Sequence, residues 1–440
     1  MITEYLPIIL FALVFVLILF GYPVAFTLGG LSIIAGVIVF DVDFFYLLSL
    51  RIYGTMGNFV LLAVPLFVFM GIMLEKSGLA ESLLETMSFL FGRIKGGLAI
   101  SVVIVGAMLA ASTGIVGATV ITMGLISLPT MLKRGYKTEL ATGTIASAGT
   151  LGQIIPPSVV LVLLASVLNV SVGELFTAAV VPSLILVLLY VMYIVVTAII
   201  KPEDAPGIDL DERKEFWSEG AFKKVVYAFV LPFLLILLVL GSIFAGIASP
   251  TEAAAVGALG ATLLTILQGK FTFPVLKDVM RDTSFLTCMV FVILIGATSF
   301  SLVFRGMGGD KLLAELITGG GLSPTAFLIV VLLVVFVAGF FIDFIEIIFI
   351  IVPVAAPIFL KLGIDLTWIG ILIALNLQTS FLTPPFGFSL FYLKGVAPPD
   401  VRTVQLYRGI IPFVLIQMFL LILVILFPGL VSFLPDLLSE

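Results

Sequence analysis

Apolar runs separated by short polar breaks organise this chain, and two of the breaks stand apart. AGTLGQIIPPS (148–158) and NLQTSFLTPPF (376–386) run small and polar residues into a double proline, inside sequence that is otherwise oily. Pro156-Pro157 and Pro384-Pro385 remove backbone N–H donors and push the preceding residue out of helical geometry. Neither stretch can be a continuous helix, and in hydrocarbon the freed carbonyls need a partner or a wet cavity. Membrane helices broken at mid-depth, at corresponding places in two halves, are the sequence pointer to a secondary transporter's binding site.

Runs of roughly 18–25 apolar residues read as spanning helices. The pattern gives scaffold helices within 1–75, an amphipathic arm at 76–95, a long apolar stretch at 96–132, a broken helix at 138–168 and a helix at 175–200. A charged linker, 201–224, follows. The plan then repeats, with scaffold helices at 225–304, an arm at 305–321, an apolar stretch at 324–360, a broken helix at 367–395 and a last helix at 403–431. The stretch 96–132 is interrupted at Ala111-Ser112-Thr113-Gly114, with no charge at the turn. It reads as two spans or as a re-entrant hairpin, and the uncharged turn favours the hairpin. Gly339 and Asp343 mark the tip of the second.

Composition narrows the class. The chain is 62% hydrophobic and 11% charged, against roughly 25% charged in soluble domains. This is an all-α polytopic membrane protein with no extramembrane domain. It has no His and one Cys. Intrachain disulfides, Cys/His metal or haem sites and a His proton relay are therefore excluded, and Cys288 reads as a small core residue. The N-terminus lacks a basic region and an A-x-A site, so it reads as the first membrane helix rather than a signal peptide.

The two halves match in register. Pro129, Lys133, Gly135, Pro156 and Pro157 precede Pro357, Lys361, Gly363, Pro384 and Pro385 by 228 positions, and Pro23 and Gly30 precede Pro250 and Gly257 by 227. Scarce breakers in one register indicate a duplication. With Lys133–Lys137 placed in the cytoplasm, 17 of the 21 basic residues fall inside, and only Arg51, Arg305, Lys311 and Lys361 fall outside. The halves then have opposite orientation, which makes the repeat inverted, with both termini outside. That is the architecture of alternating access.

At each break a hairpin tip is expected to meet an unwound helix. The tips offer Ala110, Ser112, Thr113 and Gly114 in the first half, and Gly339 and Ile342 in the second. The breaks offer Ser147, Thr150, Gly152, Ile155 and Pro157, then Asn376, Thr379, Ser380, Thr383 and Phe386. Carbonyls and hydroxyls without paired carboxylates suit Na⁺ and not a transition metal. Nearby helix N-termini can hold a carboxylate, which suggests two Na⁺ ions flanking one organic anion, with Ser112, Ser147, Thr150, Asp343, Asn376 and Thr379 as candidate substrate groups. The alternative is that the prolines only kink packed helices. Asp343 and Glu346 are intramembrane acids, functional by default, although Asp343 can equally tie down its hairpin. Glu252, after Ser249-Pro250, reads as a helix cap. No GxxxxGK[ST] loop exists, so the chain hydrolyses no ATP, and it has no catalytic constellation.

STGIVGATVITMGLISLPTMLKRGYK (112–137), ATGTIASAGTLGQIIPPS (141–158), SPTEAAAVGA (249–258) and TPPFG (383–387) resemble the large membrane subunit of tripartite ATP-independent periplasmic (TRAP) transporters. Thr119, where an Asp is frequent, resembles the branch labelled mannitol/chloroaromatic. The resemblance spans the chain and implies a Na⁺-driven elevator, an inner-membrane location in bacteria, a small four-helix membrane subunit, and a periplasmic binding protein delivering an organic acid. By motif position it implies one Na⁺ site around Ala110, Thr113, Gly152, Ile155 and Pro157. The other would use Gly339, Ile342, Ser380, Thr383 and Phe386. Because the chain starts at the first large-subunit span, the small subunit is expected as a separate polypeptide. Competing readings are a stand-alone Na⁺/dicarboxylate-type symporter and a channel or scaffold.

Overall fold

The computed structural model describes residues 5–113, 116–207, 221–319 and 323–439, apart from the side chains of 111–113, 221, 223, 314, 316–319 and 439. Among the described residues every regular element is a helix. Seven are long and apolar enough to cross a membrane, and one bent pair makes an eighth. In chain order the first ten are α1 (Leu6–Leu19), α2 (Val24–Val39), α3 (Phe44–Met56), α4 (Ala63–Lys76), α5 (Leu79–Phe91), α6 (Gly97–Thr113), α7 (Val116–Lys133), α8 (Thr138–Thr150), α9 (Val159–Leu168) and α10 (Val172–Ile200). Beyond the linker lie α11 (Leu231–Phe244), α12 (Pro250–Leu267), α13 (Phe273–Gly306), α14 (Gly309–Gly319), α15 (Pro324–Ala338) and the bent pair α16 (Phe344–Ile350) and α17 (Val352–Lys361). Then come α18 (Leu366–Leu382), α19 (Phe388–Val396), α20 (Thr403–Leu426) and α21 (Gly429–Ser439).

Local chemistry sets the ends. Ser249 and Glu252 close a capping box at the start of α12, with Pro250 in the first turn. Thr272 caps α13 and Asp365 caps α18. The helix pair α16–α17 bends by 48°, just before Pro353, which brings no N–H to the ladder. In α10 the buried residues Ala179, Ser183, Leu186, Tyr190, Ile194 and Ala198 recur at helical spacing. Leu184, Leu188, Met192 and Ile199 stay exposed, as a lipid-facing stripe requires.

Two readings need correction, on the last helix and on Cys288. α3 was not among the expected spans, and it is not long and apolar enough to be one. It has no buried residue, and Ser49, Arg51 and two tyrosines interrupt its apolar pattern. The last helix ends at Leu426, because Phe427-Pro428 separates it from α21. Cys288 is exposed on α13 rather than packed in a core.

One set of helices packs around α13, which lies along α2 and α4, while α12 lies on α4 and α11 on α12. Backbones approach closely here: a Cβ on Gly296 would stand 2.5 Å from the Ala25 carbonyl. The other set gathers around the broken helices. α8 is wrapped by α6, α7 and α20, and α18 packs on α15, α20, α9 and α10. Gly143 and Gly409 let α8 and α20 touch backbone to backbone. The sets meet where α4 packs on α6 and α9, and where Thr122 Oγ1 donates to Glu75 at 3.0 Å.

Candidate functional site

The first break begins where α8 tightens into a 3₁₀ turn, Leu151–Gln153. The Pro156-Pro157 peptide is cis, and α9 resumes at Val159. The Ser158 hydroxyl holds the break by donating to the Gly152 carbonyl at 2.8 Å and the Gln153 carbonyl at 3.1 Å. The carbonyls of Ile155, Pro156 and Pro157 take no hydrogen bond among the described residues. The end of α6 presses onto this turn. A Cβ on Gly152 would stand 3.0 Å from the Ala110 carbonyl and 3.2 Å from its Cα. Ala110, Gly152 and Pro157 are buried and Ile155 is half-buried.

The second break follows the same chemistry. α18 ends at Leu382, Pro384-Pro385 is cis, and Gly387 at φ 49° starts α19. Ser389 Oγ donates to the Phe381 carbonyl at 3.1 Å, as Ser158 does to Gln153. The carbonyls of Pro384, Pro385 and Phe386 take no hydrogen bond from another residue's backbone or side chain among the described residues, nor do those of Gly339–Ile342 in the turn between α15 and α16. A methyl group added at Gly339 would overlap Ser380 Oγ. The Phe341 ring meets the Phe386 ring edge-on, with centroids 5.4 Å apart. Both rings are exposed, Phe386 by 60%, whereas Ile342 is buried.

The structure thus brings together Ala110 with Gly152, and Gly339 with Ser380. Gly114 lies outside the described residues, as do the side chains of Ser112 and Thr113. Several hydroxyls are turned back onto their own helices: Thr150 Oγ1 to the Ser147 carbonyl, Thr379 to Leu375, Ser380 to Leu377 and Thr383 to Thr379. A hydroxyl that donates in this way still presents oxygen lone pairs. Ser147 Oγ is buried and has no hydrogen bond among the described residues. Two candidates have structural duties. Asn376 Nδ2 is buried and donates to the Leu332 carbonyl, joining α18 to α15. Asp343 caps α16 through Phe344 N at 2.8 Å, and Glu346 returns the bond to Asp343 N at 3.2 Å.

Ser158, Ser389 and Gln153 were absent from the candidate set. Each serine follows its proline pair within a few residues, which is the signal that marks a hydroxyl able to close the break. Gln153 is fully buried, with neither amide atom bonded among the described residues. The donor set at both breaks is neutral oxygen, and among the described residues no three His, Cys, Asp or Glu cluster as a metal site. Such oxygens suit a hard monovalent cation.

Comparison with known proteins agrees with this architecture. The profile of the family described as "Tripartite ATP-independent periplasmic transporter, DctM component" matches residues 11–430. The C4-dicarboxylate TRAP transporter large permease protein DctM of Pseudomonas aeruginosa is 34% identical, covering 92% of this chain and 93% of that protein. The protein of the same description from Vibrio cholerae is 33% identical over 98% and 97%. The ectoine TRAP transporter large permease protein TeaC of Halomonas elongata is 30% identical over 96% and 97%. None of these three carries the mannitol/chloroaromatic label. Among solved structures, the YdaH transporter of Alcanivorax borkumensis aligns with a TM-score of 0.65 at 18% identity, covering 96% of this chain and 98% of its own. That likeness concerns the fold. The chain belongs to the DctM family and is a large permease subunit of a TRAP transporter, not an enzyme.

Proposed function

We propose that this subunit imports an organic acid, a carboxylate, coupled to Na⁺ and moved by an elevator mechanism. The observation that carries the reading is the meeting of each hairpin end with a break, Ala110 on Gly152 and Gly339 on Ser380, amid carbonyls that lack hydrogen bonds. Unwound backbone of this kind is how transporters hold Na⁺ at mid-membrane. One Na⁺ would sit among Ala110, Thr113, Gly114, Gly152, Ile155 and Pro157, the other among Gly339, Ile342, Ser380, Thr383 and Phe386, with the anion between. The relatives' descriptions name C4-dicarboxylates and ectoine, and this chain is assigned to the same broad class of organic acids.

An inverted repeat with two re-entrant hairpins underlies the proposal. Its support is that Gln378 Nε2 reaches Thr150 Oγ1 at 3.5 Å across a separation of 228, the same offset that relates the two proline pairs. The partners are a small four-helix membrane subunit and a periplasmic binding protein. The location is a bacterial inner membrane, multi-pass, with the basic loops in the cytoplasm.

The test is uptake of a labelled carboxylate into proteoliposomes holding both membrane subunits, with loaded binding protein outside. Uptake should follow an inward Na⁺ gradient and require the binding protein. Flux indifferent to the gradient sinks Na⁺ coupling, and uptake by this chain alone favours the stand-alone symporter.

A further inference from the structure

A cavity of about 420 Å³ lies between α3 and α13 on one side and the end of α9 and the α16–α17 bend on the other. Its wall carries two guanidiniums, Arg51 on α3 and Arg305 near the end of α13, with Asn58, Asn169, Thr55 and Thr298 among the other linings. No acidic residue lines it. Arg305 Nη2 donates to the Pro353 carbonyl at 3.2 Å, which fixes the head group at the hairpin bend. Arg51 makes no ion pair among the described residues. The polar wall is also braced: Asn58 Oδ1 accepts from Val60 N at 3.0 Å, and Asn58 Nδ2 donates to Ser166 Oγ at 3.4 Å.

Two cationic forks in a concave, carboxylate-free wall make a local positive potential. The planar guanidinium pairs with a carboxylate through two parallel bonds. The cavity is separate from the first break, since Ser166 stands about 10 Å along α9 from its first residue, Val159. Arg51 and Arg305 are also two of the four basic residues that the charge count puts on the outer face. A polar, positive chamber there has no packing purpose that apolar residues would not serve better.

We infer that this cavity is an antechamber that holds an organic carboxylate on its way to the hairpin tips, with Arg51 and Arg305 as its anion-binding pair. The inference rests on the proposed orientation and substrate class, but not on Na⁺ coupling. The chamber works by charge and fork geometry alone, so occupancy requires no cation. Because α13 belongs to one set of helices and α9, which also lines the cavity, to the other, the anion sits between the two.

The test is arginine modification by phenylglyoxal on the chain in lipid nanodiscs, read peptide by peptide by mass spectrometry, with succinate as the probe. Saturating succinate should slow modification of Arg51 and Arg305 by about twofold or more, equally in Na⁺ and in choline, leaving Arg402 and Arg408 unchanged. The uncharged analogue 1,4-butanediol should not protect. Absence of protection, protection that needs Na⁺, or equal protection by the diol overturns the antechamber. In uptake assays Arg51→Gln should raise KM with kcat retained, and an unchanged KM counts against the inference. Na⁺-driven uptake with unprotected arginines would reject the antechamber and keep the transport reading. Protection with Na⁺-indifferent flux would do the reverse.

Discussion

Gln417 Nε2 donates to the Tyr190 hydroxyl at 2.6 Å, with both side chains out of solvent. They stand 227 positions apart, and the Gln378–Thr150 contact spans 228. A two-fold relation between halves brings matched residues face to face only at its axis. The proposed inverted repeat therefore accounts for both contacts at once, and for why they lie where α8, α10, α18 and α20 converge.

Tyr190→Phe leaves Gln417 Nε2 unpaired in a dry environment. Polar contacts between membrane helices are worth about 0.6 kcal/mol on average and about 1.7 at most, so the variant should lose about 1 kcal/mol. Thermal unfolding in detergent measures this. Adding Gln417→Leu should recover part of the loss, because removing both partners is milder than orphaning one.

Gly339→Ala should abolish uptake, because its methyl overlaps Ser380 Oγ and stands 2.8 Å from Ser380 Cβ. Ser380→Gly removes both colliding atoms. The double variant should regain folding and part of the uptake, which compares the effect of shape with the loss of the serine oxygen.

Thr383→Val keeps the shape of the second break and deletes an oxygen beside three or more carbonyls that lack hydrogen bonds. The Na⁺ concentration for half-maximal uptake should rise about tenfold, the effect of about 1.4 kcal/mol. Gly152→Val should lose uptake through collision with Ala110 while remaining folded in detergent. If both variants transport like wild type, the ligand sets are wrong.

Ser158→Ala strips two carbonyl partners from the first break. Unfolding should shift downward by about 1–2 kcal/mol. Ser389→Ala, which frees one carbonyl, should cost less. Comparing the two unfolding midpoints checks the order.

Backbone breakers were legible because their effect is local. Pro156-Pro157 and Pro384-Pro385 interrupt a helix whatever surrounds them, and the capping box at Ser249–Glu252 is spelled within four residues. Long-range pairings were not legible. Nothing near Asn376 in the chain announces that its amide is spent on Leu332, and the mixed face of α3 hides a helix from any run-length count. Asp343 sits between: its place in an apolar run was in view, but its duty at Phe344 N depends on where α15 turns into α16. Ser158 was in view beside the prolines, and its importance emerges only once the carbonyls of Gly152 and Gln153 point at it.

One helix sets the scale of the molecule. α13 is unbroken over 34 residues, about 51 Å at 1.5 Å per residue, against a hydrocarbon core of about 30 Å. Its first turns carry Lys277, Asp278, Arg281 and Asp282, more charge than hydrocarbon accepts at low cost, and Asp282 is tied to Lys76 at 3.4 Å. The elements that carry the candidate sites are cut into short segments, while the wall beside them is a single stiff rod. A bilayer of different thickness is therefore expected to change the tilt of this rod, as an over-long helix does.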